Sequence, residues 1–509
     1  MRQSKRIAIN TLSGWLGQLV NAAVLIFFWK YLINALGVER FGVLRYVLAI
    51  QGSLTFLDLG ISATLNRFTS RLVASGDVDR LNAAFSFGML VYFAMGLVGA
   101  AVMAGMGMML PSLVIGAKEA TYASGMLLMF CMGGALAFRF WGYAARSLLF
   151  GLQRYDLVNF GQAGIMLARA GIVVLVLEVW EDAGLVSVGL CYLGTGVLET
   201  GLLWAFGKWQ FPALRLRVRR FERDLVKDVL GFSAFVLIYS LMSILIENLP
   251  IFFAGRFFGA EAVAYIALPL LLLAQLSKLS GAFAKTLVPV AGKFGALGRM
   301  EVVRDMVVRG TKFCAILCIP VGVLGIVFGE PLMEWFKEGY GWTWVLLAIL
   351  MAPYLLWIPQ SPAFSVLLGT GSIRGIALGR AVVVVAIVAL SWLFGVYFEM
   401  GLYGVALGTA APTALFAATF RPVYTCRQFG LGTLGYLWRS YARVVLLTIP
   451  VAGLGGALVW LAYPESLVMI LLEGGVCMAV FGAVAWVWVL GPDERRQVRG
   501  LFEHHRGDA

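Results

Sequence analysis

Histidine is nearly missing from this 509-residue chain, which has only His504 and His505, both in the polar C-terminal tail. Serine-histidine-aspartate triads and histidine-based metal centres therefore lack a residue on which they depend. Charged residues are also scarce, at 13% of the chain against about 25% in an average soluble domain. A large soluble catalytic domain is excluded on this ground.

The cysteines do not indicate a catalytic or metal site either, because all six lie inside or beside apolar runs. They are expected to be small buried hydrophobic residues rather than disulfides. Cys314 and Cys318 share a helix face, but no histidine or second cysteine pair is near them. No glycine-rich run is followed by the Lys-Ser/Thr of a phosphate-binding loop. We therefore expect no metal, no cofactor, no catalytic residues and no ATP hydrolysis.

What the chain does have is apolar residues, at 61%. Because one membrane helix needs about 20 apolar residues, the composition is that of a polytopic membrane protein. The fourteen predicted spans cover residues 9–33, 41–64, 83–110, 122–149, 157–180, 184–207, 229–254, 262–288, 311–328, 342–368, 379–397, 402–420, 443–463 and 467–490. The first follows a basic N-terminus and is too long for a signal peptide, so we expect it to be uncleaved.

Lysine and arginine are distributed unevenly between the two sides of these spans. With a cytoplasmic N-terminus, the outer segments contain only Arg40, Lys118, Arg256 and Lys337. The positive-inside rule then predicts that both termini are cytoplasmic. The basic run 215–223 is interpreted as a cytoplasmic linker lying against anionic headgroups, and not as a nucleic-acid site.

Short patterns recur between the two halves of the chain. Gly37-Val38-Glu39 after the first span matches Gly259-Ala260-Glu261 after the seventh, at an offset of 222 residues. The glycines at 184 and 401 are offset by 217 and those at 151 and 369 by 218. These offsets predict a duplicated six-helix unit whose copies share the same orientation, enclose a central cavity and work by alternating access.

The predicted fold is all-α, with about fourteen transmembrane helices in two pseudo-symmetric six-helix lobes plus two C-terminal helices. The predicted domains are an N-lobe at 1–207, a basic linker at 208–228, a C-lobe at 229–424, two extra spans at 425–490 and a cytoplasmic tail at 491–509.

Several polar side chains lie at hydrocarbon depth, where a charge costs about 2.5 to 3.5 kcal/mol. Arg139 and Arg169 are near the centres of their spans, so a wet cavity or an internal ion pair, for instance to Glu199, is expected for them. Lys30, Lys285 and Arg146 are expected to reach the headgroups instead. For Arg45 and Lys278 both readings stay open. The predicted substrate-binding residues are Arg139, Arg169, Arg45, Lys278, Gln162 and Asn159.

Deep cations outnumber deep anions in this set. A cationic cavity in a low dielectric attracts an anion such as a phosphate or pyrophosphate.

Four segments carry a family resemblance. They are Leu36-Gly37-Val38-Glu39-Arg40-Phe41-Gly42, Leu57-Asp58-Leu59-Gly60-Ile61 with Asn66-Arg67, Gly151-Leu152-Gln153-Arg154, and Phe258-Gly259-Ala260-Glu261-Ala262. Together with the span count, they make the chain similar to the polysaccharide transporter family. These are lipid-linked oligosaccharide flippases of bacteria, in the superfamily that also contains multidrug and toxin extruders and lipid II flippases.

The resemblance implies movement of an undecaprenyl-pyrophosphate-linked glycan, such as an O-antigen unit, between the leaflets of the bacterial inner membrane. Arg139 and Arg169 would hold the pyrophosphate. The implied partners are membrane lipids, H+ or Na+, a polysaccharide polymerase and glycosyltransferases, with no nucleic acid. Asp58, Glu199 and Glu247 are the ion-coupling candidates.

Two rival functions remain open from the sequence. One is a cation-coupled drug or metabolite antiporter of the same architecture, for which an acidic cavity would be expected. The other is a membrane enzyme of polysaccharide assembly, although the longest outer loop, around 329–341, is short for a catalytic site.

Overall fold

The chain folds into helices that are joined by short turns. The computed structural model describes residues 24–58, 61–180, 184–215, 234–492 and 494–495, and in these residues every regular element is helical. The main helices are α1 Val24–Leu36, α2 Val38–Ser53, α3 Ile61–Ser75, α4 Val78–Met108, α5 Glu119–Gly151, α6 Tyr155–Val179, α7 Leu185–Gln210, α8 Phe235–Phe258, α9 Ala260–Ala296, α10 Met300–Val327, α11 Gly341–Gly369, α12 Arg374–Tyr397, α13 Gly401–Phe429, α14 Thr433–Leu461 and α15 Leu467–Trp488. Two short helices, Leu110–Leu113 and Gly329–Phe336, lie between them.

Twelve helices of the described part, α4 to α15, are long and apolar enough to cross a membrane. Each corresponds to one predicted span, from the third to the fourteenth. Large apolar side chains such as Leu90, Phe93 and Leu97 of α4 are exposed, as expected for helices that face lipid. The chain is therefore a multi-pass membrane protein.

The first two predicted spans differ from this pattern. Span 9–33 is described only from residue 24, and span 41–64 is α2 followed by a 3-10 turn at Leu54–Asp58 and then α3. The basic N-terminus, most of the basic linker and the end of the tail lie outside the described residues. The total of fourteen spans and the cytoplasmic termini stay predictions.

The helices form two compact units, Met1–Ala267 and Leu268–Ala509. In the first unit α5 packs mainly against α4 and α7. Small residues allow this close packing, since a Cβ at Gly96 would lie 3.0 Å from the Ala137 carbonyl and one at Gly133 3.2 Å from the Ala100 carbonyl.

In the second unit, α10 shares a hydrophobic core with α14 and α15, and Ile319, Val451 and Phe481 are among its members. The neighbouring helix α11 is interrupted by a 3-10 turn at Ile358–Gln360, next to two prolines that cannot donate backbone hydrogen bonds. The carbonyls of Trp357 and Gln360, at the two ends of this turn, accept hydrogen bonds from Arg421, at 2.8 Å and 3.1 Å.

Equivalent contacts recur inside each unit. A Cβ at Gly88 would meet Leu65, and one at Gly310 would meet Leu287, with both members of the pair displaced by 222 residues. Gly151 lies against Thr69, and Gly369 lies against Ala291. Recurrence of the same neighbours is what a duplicated helix unit requires.

Backbone geometry recurs at the same offsets. Gly37 and Gly259, which precede α2 and α9, have φ angles of 78° and 95°. After α5 and α11, the φ angles at Gln153 and Gly371 are 57° and 79°, two residues beyond Gly151 and Gly369. Positive φ is favourable for glycine, so two of the three glycine matches found in the sequence mark matching turns. The third does not, since Gly184 has a φ of −149° and Gly401 one of 60°.

Candidate functional site in the first unit

Arg169, near the middle of α6, is held by three side chains of α7. Its Nε donates a hydrogen bond to Thr195 Oγ1 at 2.9 Å, and its Nη2 lies 3.7 Å from Glu199 Oε2. Its guanidinium also lies over the ring of Tyr192, 4.7 Å from the centroid. Residues 192, 195 and 199 share one helix face by their spacing, so α7 presents a polar stripe to α6.

Arg139 of α5 approaches the same place. It interacts electrostatically with Arg169, Tyr192 and Tyr143. Within the described part of the chain, no hydrogen bond or ion pair neutralises it. An arginine at hydrocarbon depth that is not neutralised is expected to bind a ligand or to face a hydrated cavity.

Arg45 of α2 is the third cation of this group. Its guanidinium lies 4.4 Å from the ring centroid of Trp29 on α1, and it interacts electrostatically with Tyr192. Its buried Nε has no hydrogen-bond partner among the described residues. The indole face supplies cation–π attraction but accepts no conventional hydrogen bond, so the guanidinium donors remain available.

Arginines from α2, α5 and α6 thus converge around Tyr192, and we call Arg45, Arg139, Arg169 and Glu199 the arginine cluster. Its three positive charges face a single carboxylate, at 3.7 Å from Arg169. The formal excess of positive charge lies where the dielectric is low, which makes the cluster an attractive site for an anion.

The structure brings together only three of the six predicted substrate-binding residues. Arg45, Arg139 and Arg169 meet, whereas Asn159 and Gln162 are half-buried positions on the N-terminal half of α6. Lys278 is exposed on α9 in the second unit. Their roles in binding remain predictions.

The three acidic candidates have different surroundings. Glu199 belongs to the arginine cluster, and Glu247 is exposed on α8. Asp58 ends the turn after α2 and accepts three hydrogen bonds, from Tyr92 Oη (3.0 Å), Ser62 N (3.2 Å) and Ser62 Oγ (2.6 Å). Within the described residues, no group of three or more histidine, cysteine, aspartate or glutamate side chains is arranged to hold a metal ion.

Arg146 of α5 is expected from the sequence to reach the headgroups, and this stays a prediction. It lines a cavity together with Asp58, and its guanidinium lies 5.2 Å from the ring centroid of Phe150. The cavity lies beside the interruption between α2 and α3, at the C-terminal end of α5.

Sequence reasoning missed Trp29, Tyr192 and Thr195 as neighbours of the arginines. Aromatic residues make up 13% of the chain, so a single tryptophan or tyrosine in an apolar run carries no signal. For Tyr192 and Thr195, the signal that could have been used is their spacing with Glu199 on one face of α7.

The family described as "Polysaccharide biosynthesis protein" matches residues 35–349, which is more than half of the chain. No curated protein sequence matches the chain.

Among solved structures, the chain is similar to the lipid II flippase MurJ in an inward closed conformation. The TM-score is 0.70 at 10% identity, covering 94% of this chain and 99% of that one. An inward-facing multidrug resistance MATE family transporter of the MOP superfamily gives a TM-score of 0.65 at 16% identity, covering 83% and 98%. A MOP superfamily transporter from Pyrococcus furiosus, described as having a binding pocket of reverse polarity, gives 0.57 at 15% identity, covering 84% and 96%. The chain therefore has the fold of these transporters.

Proposed function

This chain belongs to the family of polysaccharide biosynthesis proteins, and we propose that it is a flippase for a lipid-linked oligosaccharide. The proposed substrate is a glycan unit, such as an O-antigen repeat, attached to undecaprenyl pyrophosphate. The proposed place of action is the bacterial inner membrane, between cytoplasmic glycosyltransferases that make the substrate and a polymerase that consumes it.

The arginine cluster is the observation that carries this proposal. A pyrophosphate bears several negative charges and many acceptor oxygens, and guanidinium groups bind such oxygens in a bidentate manner. Arg45 and Arg139 have no acidic partner among the described residues, so their donors are available to it.

The headgroup of such a substrate is the part that cannot cross hydrocarbon unaided. Binding it to fixed arginines replaces its hydration, while the polyprenyl chain stays in lipid throughout. Alternating access then exposes the bound headgroup first to the inner leaflet and then to the outer one. Weak, multiple contacts suit this task, because the headgroup must also leave.

Glu199 is our proposed coupling group among the three acids. It competes with the substrate for Arg169, so a proton on Glu199 frees this arginine for pyrophosphate and loss of the proton favours release. The charged or titratable groups that interact with it are Arg169 and Tyr143, and Arg139 interacts with both of these. Asp58 is instead already held by three hydrogen-bond donors.

A second candidate function is a cation-coupled drug or metabolite antiporter. The shared fold with a MATE family transporter favours it. The excess of arginine over carboxylate in the cluster disfavours it for cationic drugs, because like charges repel in a low dielectric. Enzymatic polysaccharide assembly has no support in this fold.

Translocation in proteoliposomes tests the proposal. Labelled undecaprenyl-pyrophosphate oligosaccharide is incorporated, and its appearance on the opposite face is followed with a membrane-impermeant glycosidase. Arg45→Gln and Arg139→Gln are each expected to slow translocation at least about tenfold, equivalent to about 1.4 kcal/mol.

The matched control is Arg80→Gln, whose side chain is 65% exposed at the start of α4 and which should leave the rate unchanged. Glu199→Gln should retain substrate binding but lose the response to a pH gradient. If the double variant Arg45→Gln, Arg139→Gln translocates at the wild-type rate, the proposal is wrong.

A further inference from the structure

The first unit contains a polar cavity that the proposed function does not use. Its volume is about 240 Å³, and it lies where α3 and the C-terminal end of α5 meet the turn after α2. The lining residues are Thr55, Asp58, Ser62, Asn66, Tyr143, Arg146, Ser147 and Phe150. Most of these side chains carry a hydrogen-bonding group, and two carry an aromatic ring.

Asp58 is fixed in this wall and still has acceptor capacity. A carboxylate offers about four acceptor positions, and three donors from Ser62 and Tyr92 occupy three of them. The remaining position, on Oδ2, is available to a hydroxyl group in the cavity. The carboxylate is therefore already oriented, and binding a ligand does not cost the free energy of ordering this side chain.

Two further polar groups of the cavity wall lack protein partners. Asn66 Oδ1 and Arg146 Nε are buried, and neither makes a hydrogen bond within the described part of the chain. One is an acceptor and the other a donor. Leaving such groups unpaired costs about 1 to 3 kcal/mol each, so a ligand or ordered water must satisfy both.

The formal charges of the described lining cancel, since Asp58 and Arg146 are the charged members. The arginine cluster, in contrast, has an excess of positive charge. A neutral group that both donates and accepts hydrogen bonds fits the cavity better than a phosphate or a bare cation. At about 30 Å³ per water in the liquid, the cavity has room for about eight waters, which is enough for one monosaccharide ring.

Helix α5 connects this cavity to the arginine cluster. Arg139 belongs to the cluster and Arg146 to the cavity, and Tyr143 both lines the cavity and interacts electrostatically with Arg139. Seven residues of helix correspond to a rise of about 10 Å on nearly the same face. This matches the reach from a pyrophosphate to the far edge of the sugar attached to it.

We propose that this cavity is a sugar subsite, which binds the monosaccharide attached directly to the pyrophosphate. Asp58, Asn66 and Arg146 hydrogen-bond its hydroxyl groups, and the rings of Tyr143 and Phe150 contact its apolar faces. The inference rests on the proposed function for the adjacent pyrophosphate, and it assigns to Arg146 a role that differs from reaching the headgroups.

Binding measurements in lipid nanodiscs separate the two sites. The probes are undecaprenyl pyrophosphate and the same lipid carrying one glucose, galactose, N-acetylglucosamine or N-acetylgalactosamine. The wild-type chain should bind at least one sugar-bearing lipid about fivefold more tightly than the sugar-free lipid. Asn66→Ala and Arg146→Gln should each remove this advantage while leaving the Kd for the sugar-free lipid within about twofold.

Two control variants are available in the same unit. Ser75→Ala, at an exposed position on α3 outside the cavity, should change neither Kd. Arg139→Gln should weaken both classes of lipid by the same factor. The unfolding midpoint of each variant, measured in parallel, shows whether the fold is retained.

The inference is overturned if the wild-type chain binds every sugar-bearing lipid no more tightly than undecaprenyl pyrophosphate, which would mean that the cavity holds water only. It is also overturned if Asn66→Ala weakens both lipids equally. If the wild-type chain binds no pyrophosphate lipid, the proposed function fails, and methyl glycosides then test the subsite alone by saturation-transfer NMR. If the wild-type chain gives signals that Asn66→Ala abolishes, the sugar subsite is supported. If there are no signals, or if Asn66→Ala leaves them unchanged, the sugar subsite is rejected.

Discussion

At the scale of single residues, glycines that all lie inside apolar helices have different surroundings. A Cβ at Gly404 of α13 would lie 2.5 Å from backbone atoms of Phe394 on α12, and one at Gly408 would overlap the backbone of Ser391. Gly453 of α14 has nothing within 4 Å of the equivalent position. The first two are contact points between helices, while the third is open.

This difference predicts opposite effects of the same substitution. Gly408→Ala should lower the free energy of unfolding by about 1 to 3 kcal/mol, because backbone atoms of α12 must move. Gly453→Ala should leave it unchanged or raise it by up to about 1 kcal/mol, since alanine is the better helix former. Unfolding midpoints in detergent, measured by scanning fluorimetry, check this. Equal changes in the two variants would contradict it.

The sequence predicted which charged residues lie inside apolar helices, but not which side chains contact them. Arg139 and Arg169 were identified from depth alone, because a charge inside a long apolar run is unusual. The partners Trp29 and Tyr192 were not, because aromatic residues are common throughout the chain. The cavity beside Arg146 was not predicted, because distance from a helix end does not reveal that the neighbouring helix is interrupted.

At the scale of elements, an ion pair connects the described residues after α15 to α10. Lys312 Nζ lies 2.7 Å from Glu494 Oε2, and the same oxygen accepts a hydrogen bond from the backbone N–H of Gly491. Burial by itself raises the pKa of Glu494, but these hydrogen bonds more than offset it, so the pKa lies below its ordinary value. The pair connects the last helix to the core of the second unit.

The sign of the pH dependence follows from this shift. A carboxyl group whose pKa is lowered by folding contributes stability above its unfolded pKa, and this contribution is lost as the pH falls through the folded value. Glu494→Gln should therefore lower stability by about 1.5 to 3 kcal/mol at neutral pH and by less below pH about 4. Unfolding midpoints from neutral pH down to about pH 3 test it, with Asp305→Asn, at a pair on the exposed surface of α10, as the control. A constant difference across that range would contradict the prediction.

At the scale of the whole molecule, apolar run length was enough to predict the helices. Twelve spans have one-to-one counterparts because a helix in lipid must satisfy its own backbone over about 20 residues. The interruption between α2 and α3 was not predicted. It coincides with Leu57-Asp58-Leu59-Gly60, a motif that we read only as a family marker, and residues 59 and 60 lie outside the described part.

Sidedness is the whole-molecule prediction that can be checked most directly. Lys118, which is exposed, belongs to a predicted outer segment, and Arg80 to a predicted cytoplasmic one. In intact cells, Lys118→Cys should react with an impermeant maleimide, and Arg80→Cys should react only after permeabilisation. The native cysteines are buried or half-buried, so the unsubstituted chain gives the background. The reverse pattern would invert the proposed orientation.

The repeated contacts also supply a natural comparison for Asp58. In the first unit Tyr92 donates a hydrogen bond to Asp58, and 222 residues later Ser280 donates one to Cys314 at 3.3 Å. At the offset of the predicted duplication, the second unit therefore has a neutral hydroxyl-thiol pair where the first unit has a phenol and a carboxylate. A hydrogen bond between these helices does not require a charge, so holding the helices together does not account for the charge of Asp58.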